Sequence, residues 1–412
     1  MKHVAEYIVK NNLCVSCGAC YSVCPTQAIQ LSFEKGLFVP KIDEVKCINC
    51  SLCLKVCPSY QVDLQNKTQH ELFRGQIMEA YVLKALDLEL LKNSTSGGFI
   101  TQTIVSLLEQ KVYDKACVLD YDLFSETSLN RATLTISGDV KFITQSARSK
   151  YIPASIDTIL DYIPHHLSER IIIIGTSCQF EAIKSYFKLK KIDERNYLFL
   201  GLFCDKTLNY NIYNYFRYKF GPYKALDFRS KKDGGWPGNV RLVFPKKELF
   251  IDRTFRMGLK SVFQLNRCRY CFDKLNRYAD ISCGDCYIER FETLQGNSNI
   301  LIRTQKGQKA FELIQDKFNV LPVTADEIIE GQELSFKETN YQRGIVHPFM
   351  YVNKEVTEKE FIDIDAIKDT QWMQYGSNAI DLIGCKQLDD RLYPKVTVYK
   401  KIKRMIKKWL LK

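Results

Sequence analysis

Cys14-Val-Ser-Cys17-Gly-Ala-Cys20-Tyr-Ser-Val-Cys24-Pro25, echoed by Cys47-Ile-Asn-Cys50-Ser-Leu-Cys53-Leu-Lys-Val-Cys57-Pro58, is the repeat on which the reading of this chain turns. A cubane iron–sulfur cluster needs four thiolates on four irons. A C-x2-C-x2-C loop supplies three of them from one turn of backbone, whose amides can point at the sulfides. The fourth cysteine, followed by proline, serves the other cluster of a pair. The spacing therefore assigns Cys14, Cys17, Cys20 and Cys57 to one 4Fe-4S cluster, and Cys47, Cys50, Cys53 and Cys24 to a second. Zinc would pair two separated C-x2-C knuckles and would not ask for a third cysteine at the same step.

Residues 1–62 thus read as a bacterial-type two-cluster ferredoxin domain, a unit that passes single electrons and reduces no substrate alone. The rest of the composition agrees with an intracellular redox protein. There are 16 cysteines, a number that in a reducing compartment asks for metal or redox chemistry rather than disulfides. A length of 412 residues calls for two or three domains. No run reaches the roughly 18–20 apolar residues needed to span a bilayer, and nothing before Cys14 has the apolar core of a signal peptide. A cytoplasmic location is expected.

The net charge of +12 is concentrated at the end. Residues 395–412 hold Lys395, Lys400, Lys401, Lys403, Arg404, Lys407, Lys408 and Lys412 and no acid; without them 51 basic residues face 47 acidic ones. The body therefore makes no case for nucleic acid as a partner. In the tail, Val398, Ile402, Met405, Ile406, Trp409 and Leu410 recur at helical spacing between the lysines. Such a basic amphipathic helix suits peripheral association with the inner membrane surface, or equally packing on the protein's own body.

Between module and tail the pattern is α/β. Residues 63–77 read as a polar linker, 78–155 and 156–345 as two parts of one larger domain, and 346–394 as an irregular extension. The run RIIIIG at 170–175 is apolar throughout, as expected of a strand covered on both faces. It leads into a helix from about 179 to 189, and NYLFLGLFC at 196–204 supplies a second such strand. A mostly parallel sheet is expected. YVLKAL, ACVLD, TLTIS, DFRSK and NVRLVF read as further strands, the last two around a Gly-Gly-Trp-Pro-Gly turn at 234–238. His165 and His166 flank an apolar helix end and carry no evident chemistry.

Five segments form an ordered set: Ser94-Thr95-Ser96-Gly97-Gly98 before a helix, Gly175-Thr-Ser-Cys178-Gln179 after a strand, and Gly201-Leu-Phe-Cys204 after the next. Phe228-Arg-Ser-Lys231 with Gly235-Trp236 comes fourth, and Cys268-Arg-Tyr-Cys271 with Ala279-Asp280-Ile-Ser-Cys-Gly284-Asp285 is the last. In this order, over residues 80–345, the chain resembles the coenzyme F420 hydrogenase/dehydrogenase beta subunit family, which includes the plant enzyme reducing 7-hydroxymethyl chlorophyll a. The resemblance implies an iron–sulfur flavoprotein with bound FAD. Beside it, Cys178 and Cys204 with the Cys268-x2-Cys271 knuckle give four thiolates, enough for a third 4Fe-4S cluster. Cys178 and Cys204 stand just past the C-terminal ends of adjacent strands, where open α/β sheets bind ligands. Two alternatives stay open. Cys178 and Cys204 could be small buried hydrophobes, and Cys268, Cys271, Cys283 and Cys286 could make a zinc site.

For the flavin, the resemblance points to Ser94, Thr95, Ser96, Gly97 and Gly98, at a helix start where amides can meet a pyrophosphate, and to Lys150 within Arg148-Ser-Lys150-Tyr151. The first could be a capped polar loop and the second a solvated basic loop. Arg229, Lys231 and Trp236 could shape the pocket. The expected function is an oxidoreductase in which ferredoxin or a similar donor loads the N-terminal clusters and electrons pass to FAD and a small-molecule substrate. Deazaflavin use and a role in surface-polysaccharide assembly are both compatible with it. The alternative is an electron-relay subunit with no substrate pocket.

Overall fold

Each cysteine motif turns its chain with left-handed residues at matching places, Ser16 and Gly18 in the first and Asn49 and Ser51 in the second. A single turn of helix follows each, Ala19–Ser22 and Leu52–Lys55. Strands β1 (Ile29–Glu34) and β2 (Leu37–Ile42) form an antiparallel hairpin between the two motifs. This computed structural model describes residues 3–60, 68–119, 130–335, 337–338 and 364–393, except the side chains of 69 and 364–370. The basic tail at 395–412 lies outside the described residues.

The large sheet has eight strands. They are β3 (Glu79–Ala85), β4 (Lys115–Leu119), β5 (Leu134–Ser137), β6 (Ile171–Gly175), β7 (Tyr197–Leu202), β11 (Ile281–Asp285), β12 (Ser298–Ile302) and β13 (Phe318–Pro322). Their order is β13-β3-β12-β11-β7-β6-β4-β5. The fold is α/β, but the sheet is mixed rather than mostly parallel. Only the centre, β4-β6-β7-β11, is parallel; the other four pairings are antiparallel. The physical reason lies in the connections. Parallel neighbours need a crossover such as the Ser177–Lys190 helix between β6 and β7, whereas β11 returns antiparallel into β12 through a loop at 286–297 that crosses neither face of the sheet with a long helix.

Both faces of the sheet are covered, which explains the unbroken apolar run in β6. Ile171 and Ile173 pack with Phe180, Ile183 and Phe187 of the Ser177–Lys190 helix. Ile172 points the other way, toward Phe99, Ile104 and Leu107 of the Phe99–Glu109 helix. Each such side chain contributes roughly 1.5–3 kcal/mol by leaving water. The N-terminal module shares the first of these cores through Val15, Cys17, Ala19 and Val23, packed with Ile156, Ile159 and Leu160. The backbone joins it there: Ile156 N donates to Cys17 O at 2.8 Å, and Tyr210 N donates to Gly36 O at 2.8 Å.

Strands β8 (Ala225–Ser230), β9 (Asn239–Val243) and β10 (Glu248–Ile251) form a separate antiparallel sheet, with the 234–238 turn between β8 and β9. Against it pack the Asn211–Phe220 and Arg253–Phe263 helices, together with Trp372, Tyr375, Ala379, Cys385 and Leu388. The irregular extension expected at 346–394 is therefore corrected over residues 364–393, while 346–363 lie outside the described residues. Ile364–Asn378 and Leu382–Leu392 are helices, held by burial against this second core rather than by a clear amphipathic stripe of their own. The linker expected at 63–77 contains a helix too, Gln69–Phe73, whose Leu72 and Phe73 are buried. Among the described residues no helix is long and apolar enough to cross a membrane.

Candidate functional site

The cysteines of the N-terminal module sort into two neighbourhoods. Cys17 lies within electrostatic reach of Cys57 and Cys14, and Cys20 within reach of Cys17, Cys14 and Cys57, with Cys53 near enough to touch both neighbourhoods. Cys53 has Cys50 and Cys24 beside it. Burial pushes the first group up, Cys14 to about 11 and Cys57 to about 12. Thiols so placed stay protonated near neutral pH until a metal displaces the proton. The two groups differ in exposure: Cys17 is buried and Cys50 exposed.

A third group gathers beyond the C-terminal ends of β6 and β7. Cys178 opens the Ser177–Lys190 helix, and Cys204 follows β7 with its amide donating to Lys274 O at 2.9 Å. Cys178 lies in reach of Cys268 and Cys271, and Cys204 in reach of Cys268, Cys178 and Cys271. The competing zinc grouping is not assembled. Cys283 sits on β11 in the core with Phe99 and Ile300, whereas Cys286 sits in another with Phe272 and Ile329. Cys283 bonds to Ser298, and the neighbours of Cys286 are Glu292, Asp285 and Arg290. A tetrahedral zinc site needs all four sulfurs about 2.3 Å from one ion, and these two point into different cores. Cys178 is also near Cys17, so the third group adjoins the buried motif of the N-terminal module.

A cavity of about 1270 Å³ opens beside the third group. Its lining includes Cys17, Cys178, Cys204 and Cys268 together with Ser94, Thr95, Ser96 and Gly98. It exceeds the roughly 300–1,000 Å³ of common small-ligand pockets, which suits a molecule as large as a dinucleotide. Gly98, at φ 81°, is the N-cap of the Phe99–Glu109 helix and brings no capping side chain. Ile100 and Thr101 of its first turn line the cavity, so orphan amides stand where an anion could meet them. Gly97 has a different purpose. Its amide donates to Ser298 Oγ at 3.1 Å, and a β-carbon there would lie 2.5 Å from Leu83 O and from Ser298 N. The loop is pressed onto β3 and β12. Lys231 fastens it from outside, donating to the carbonyls of Leu91, Ser96 and Gln295.

The segment from Ser146 to Ala154 lines the cavity throughout. It is not a solvated loop. Arg148 and Tyr151 both hold positive φ, 83° and 57°, a local strain that a functional site commonly stores. Arg148 pairs with buried Asp227 at 2.8 Å, and Ser149 N donates to Thr95 Oγ1 at 3.1 Å, tying the two loops together. Lys150 is buried and donates to the carbonyls of Ser146 and Ala147. Burial lowers its ammonium to about 7. Arg229 lines the cavity and pairs with Asp285. Trp236 packs on Tyr287, ring centroids 5.5 Å apart. His166 stacks on Tyr162 at 3.7 Å, and neither it nor His165 belongs to the lining. Sequence reasoning missed Met257 and Lys260, which enter the lining from a helix with no motif, and Tyr287.

Residues 80–161 match the family model for the N-terminal part of the coenzyme F420 hydrogenase/dehydrogenase beta subunit. Residues 168–325 match the model for its C-terminal part. The chain belongs to the coenzyme F420 hydrogenase/dehydrogenase beta subunit family. Ahead of these regions it carries a 4Fe-4S dicluster domain at residues 13–60. Relatives include the beta subunit of the coenzyme F420 hydrogenase of Methanococcus voltae, 22% identical over 293 residues, covering 70% of this chain and 95% of the relative. The coenzyme F420-dependent sulfite reductase of Methanocaldococcus jannaschii is 26% identical over 348 residues, 80% of this chain and 50% of that one. One subunit of the F(420)H(2) dehydrogenase of Methanosarcina mazei is 21% identical over 372 residues, 85% of this chain and 95% of the relative. A chain of the F420-reducing NiFe hydrogenase complex from Methanosarcina barkeri aligns at a TM-score of 0.48 and 18% identity, covering 65% of this chain and 93% of that one. As a member of this family, the protein is an iron–sulfur electron-transfer component of an oxidoreductase.

Proposed function

We propose that the protein is an iron–sulfur flavoprotein that carries electrons from the exposed cysteine motif, through the buried one and a third cluster, to a flavin in the cavity and a small organic substrate. The observation that carries this reading is the shared lining. One cavity is bordered by Cys17, by Cys178, Cys204 and Cys268, and by the Ser94–Gly98 loop. When bound, a flavin holds two electrons and so joins single-electron clusters to two-electron organic chemistry.

The chain's own part is placement and exclusion. Cys178, Cys204, Cys268 and Cys271 would ligate the third cluster, and the amides at the start of the Phe99–Glu109 helix would receive the pyrophosphate. Lys231 would keep the loop in place, and Lys150 would supply a buried cation whose charge the flavin's anion restores. Relatives named for coenzyme F420 make that deazaflavin the first substrate to try, with a redox protein at the exposed motif as partner. The test is anaerobic purification with iron and flavin assays. About twelve irons and one released FAD are expected; Cys178→Ser should remove about four irons and Cys283→Ser none. Iron loss from Cys283→Ser, or an iron-replete protein with no affinity for flavin, would overturn the assignment.

A further inference from the structure

We propose that Arg229, Arg256 and Lys260 form an anion-binding subsite at the mouth of the cavity, which takes a phosphoryl group of the substrate. The inference rests on the preceding reading only in treating the cavity as the place where substrate reacts.

Arg256 and Lys260 stand one turn apart on the Arg253–Phe263 helix. Their charged ends lie 5.3 and 5.8 Å from the centre of the Tyr151 ring. Arg256 is only 4% exposed, and its Nε has no hydrogen-bond partner. Neither residue makes an ion pair among the described residues. An aromatic face offsets part of the cost of burying a cation, but a buried charge ordinarily comes with an acid. Arg229, which lines the cavity as Lys260 does, is 6% exposed and lies within electrostatic reach of Arg256 just behind that wall. It donates through Nε to Pro237 O and through Nη1 to Asp285, and its Nη2 is buried without a partner.

Of the three cations Arg229 alone has an ion pair among the described residues, with Asp285, which also accepts from the Tyr287 hydroxyl at 3.2 Å. Asp205, within electrostatic reach of Lys260, forms its ion pairs with Lys206 and Lys337 instead. Burial and the Arg256 charge together lower the Lys260 ammonium to about 8. The surplus charge matches a phosphoryl dianion, whose oxygens can accept from a guanidinium fork and an ammonium at once. The position suits substrate rather than resident cofactor. Met257 and Tyr287, both of the lining, are 54% and 44% exposed, so this side opens to solvent.

The experiment is isothermal titration of the anaerobic holoprotein with inorganic phosphate at low salt, with flavin content measured on the same samples. Arg256→Met and Lys260→Met should each weaken phosphate binding about tenfold, the worth of one charge-assisted hydrogen bond, while Arg256→Lys stays within a few-fold. Flavin content should not change. Unaltered phosphate affinity in both methionine variants overturns the subsite. So does tighter binding of succinate than of phosphate, which would make it a carboxylate site. Flavin loss in step with phosphate loss overturns it as well, by giving these cations to the flavin pyrophosphate. Should the protein hold no flavin, the flavoprotein reading fails, yet the phosphate titration still decides this one. Lys260→Met alters a partly exposed side chain, so unchanged thermal unfolding there separates lost binding from lost fold.

Discussion

Gly18 and Ser51 occupy the same place in the two cysteine motifs and share left-handed backbone, at φ 78° and 59°, yet only one of them must be glycine. A β-carbon at Gly18 would lie 2.3 Å from Ser155 Oγ. That hydroxyl donates to Asp157 Oδ1 at 2.6 Å and lies 3.3 Å from Cys17 O, at the seam between module and sheet. Gly18→Ala should therefore cost about 2 kcal/mol or more, combining backbone strain with a displaced hydrogen-bond network. Ser51→Gly should be neutral or slightly stabilising. Anaerobic unfolding of both variants at matched iron content checks this; equal losses would mean that the left-handed backbone, and not the seam, decides. The 4Fe-4S dicluster domain at residues 13–60 was legible because ligation by cysteines leaves a fixed spacing in the chain. Arg256 and Lys260 were not. Their interest lies in what they lack, a carboxylate, and that is a property of the folded neighbourhood.

At the scale of elements, the continuous apolar runs in β6 and β7 were readable because both faces are covered, and burial on both sides erases the alternation of a half-exposed strand. The antiparallel strands of the same sheet were readable as strands but not in direction, since direction is set by connections. The Ser146–Ala154 segment was ambiguous for another reason: basic residues in a short loop look alike whether solvated or buried. Lys150 makes the difference measurable. Its ammonium falls from 10.5 to about 7 in the fold because burial disfavours the charge. Below pH 7 both folded and unfolded chains carry the proton, and the cost of burying it is felt in full. Between about pH 7 and 10 the unfolded chain binds more protons, so stability must rise with pH, by at most about 1.4 kcal/mol per unit from this group. Lys150→Met should remove that rise. Unfolding measured across this range for both proteins should show curves that diverge as pH increases. Parallel curves would mean that the carbonyls of Ser146 and Ala147 keep the ammonium charged.

Across the whole molecule, exposure falls along one line. Val45 and Ile48, beside and within the second cysteine motif, are 97% and 63% exposed, whereas the first motif is packed against the sheet, with Cys17 near Cys178. The sequence repeats the motif with no sign of which copy faces out; only docking breaks the symmetry. Among the described residues the second motif offers the more open approach to an external redox protein, because much of the first packs on Ile156, Ile159 and Leu160. Ile48→Glu places a charge in the middle of that approach without touching a cysteine. A contact at the centre of an interface, of the minority that carry the docking, costs more than about 1 kcal/mol when lost. The rate at which a reduced partner protein bleaches the iron–sulfur absorbance should therefore fall about tenfold, each 1.36 kcal/mol of barrier being a factor of ten. Bleaching by dithionite, which is small enough to need no docking surface, should keep its rate, and iron content should hold. Slowing of both reactions together would mean that Ile48 supports the module's fold. No slowing with the partner would move the port of entry to another face, and the order of the relay would have to be redrawn from there.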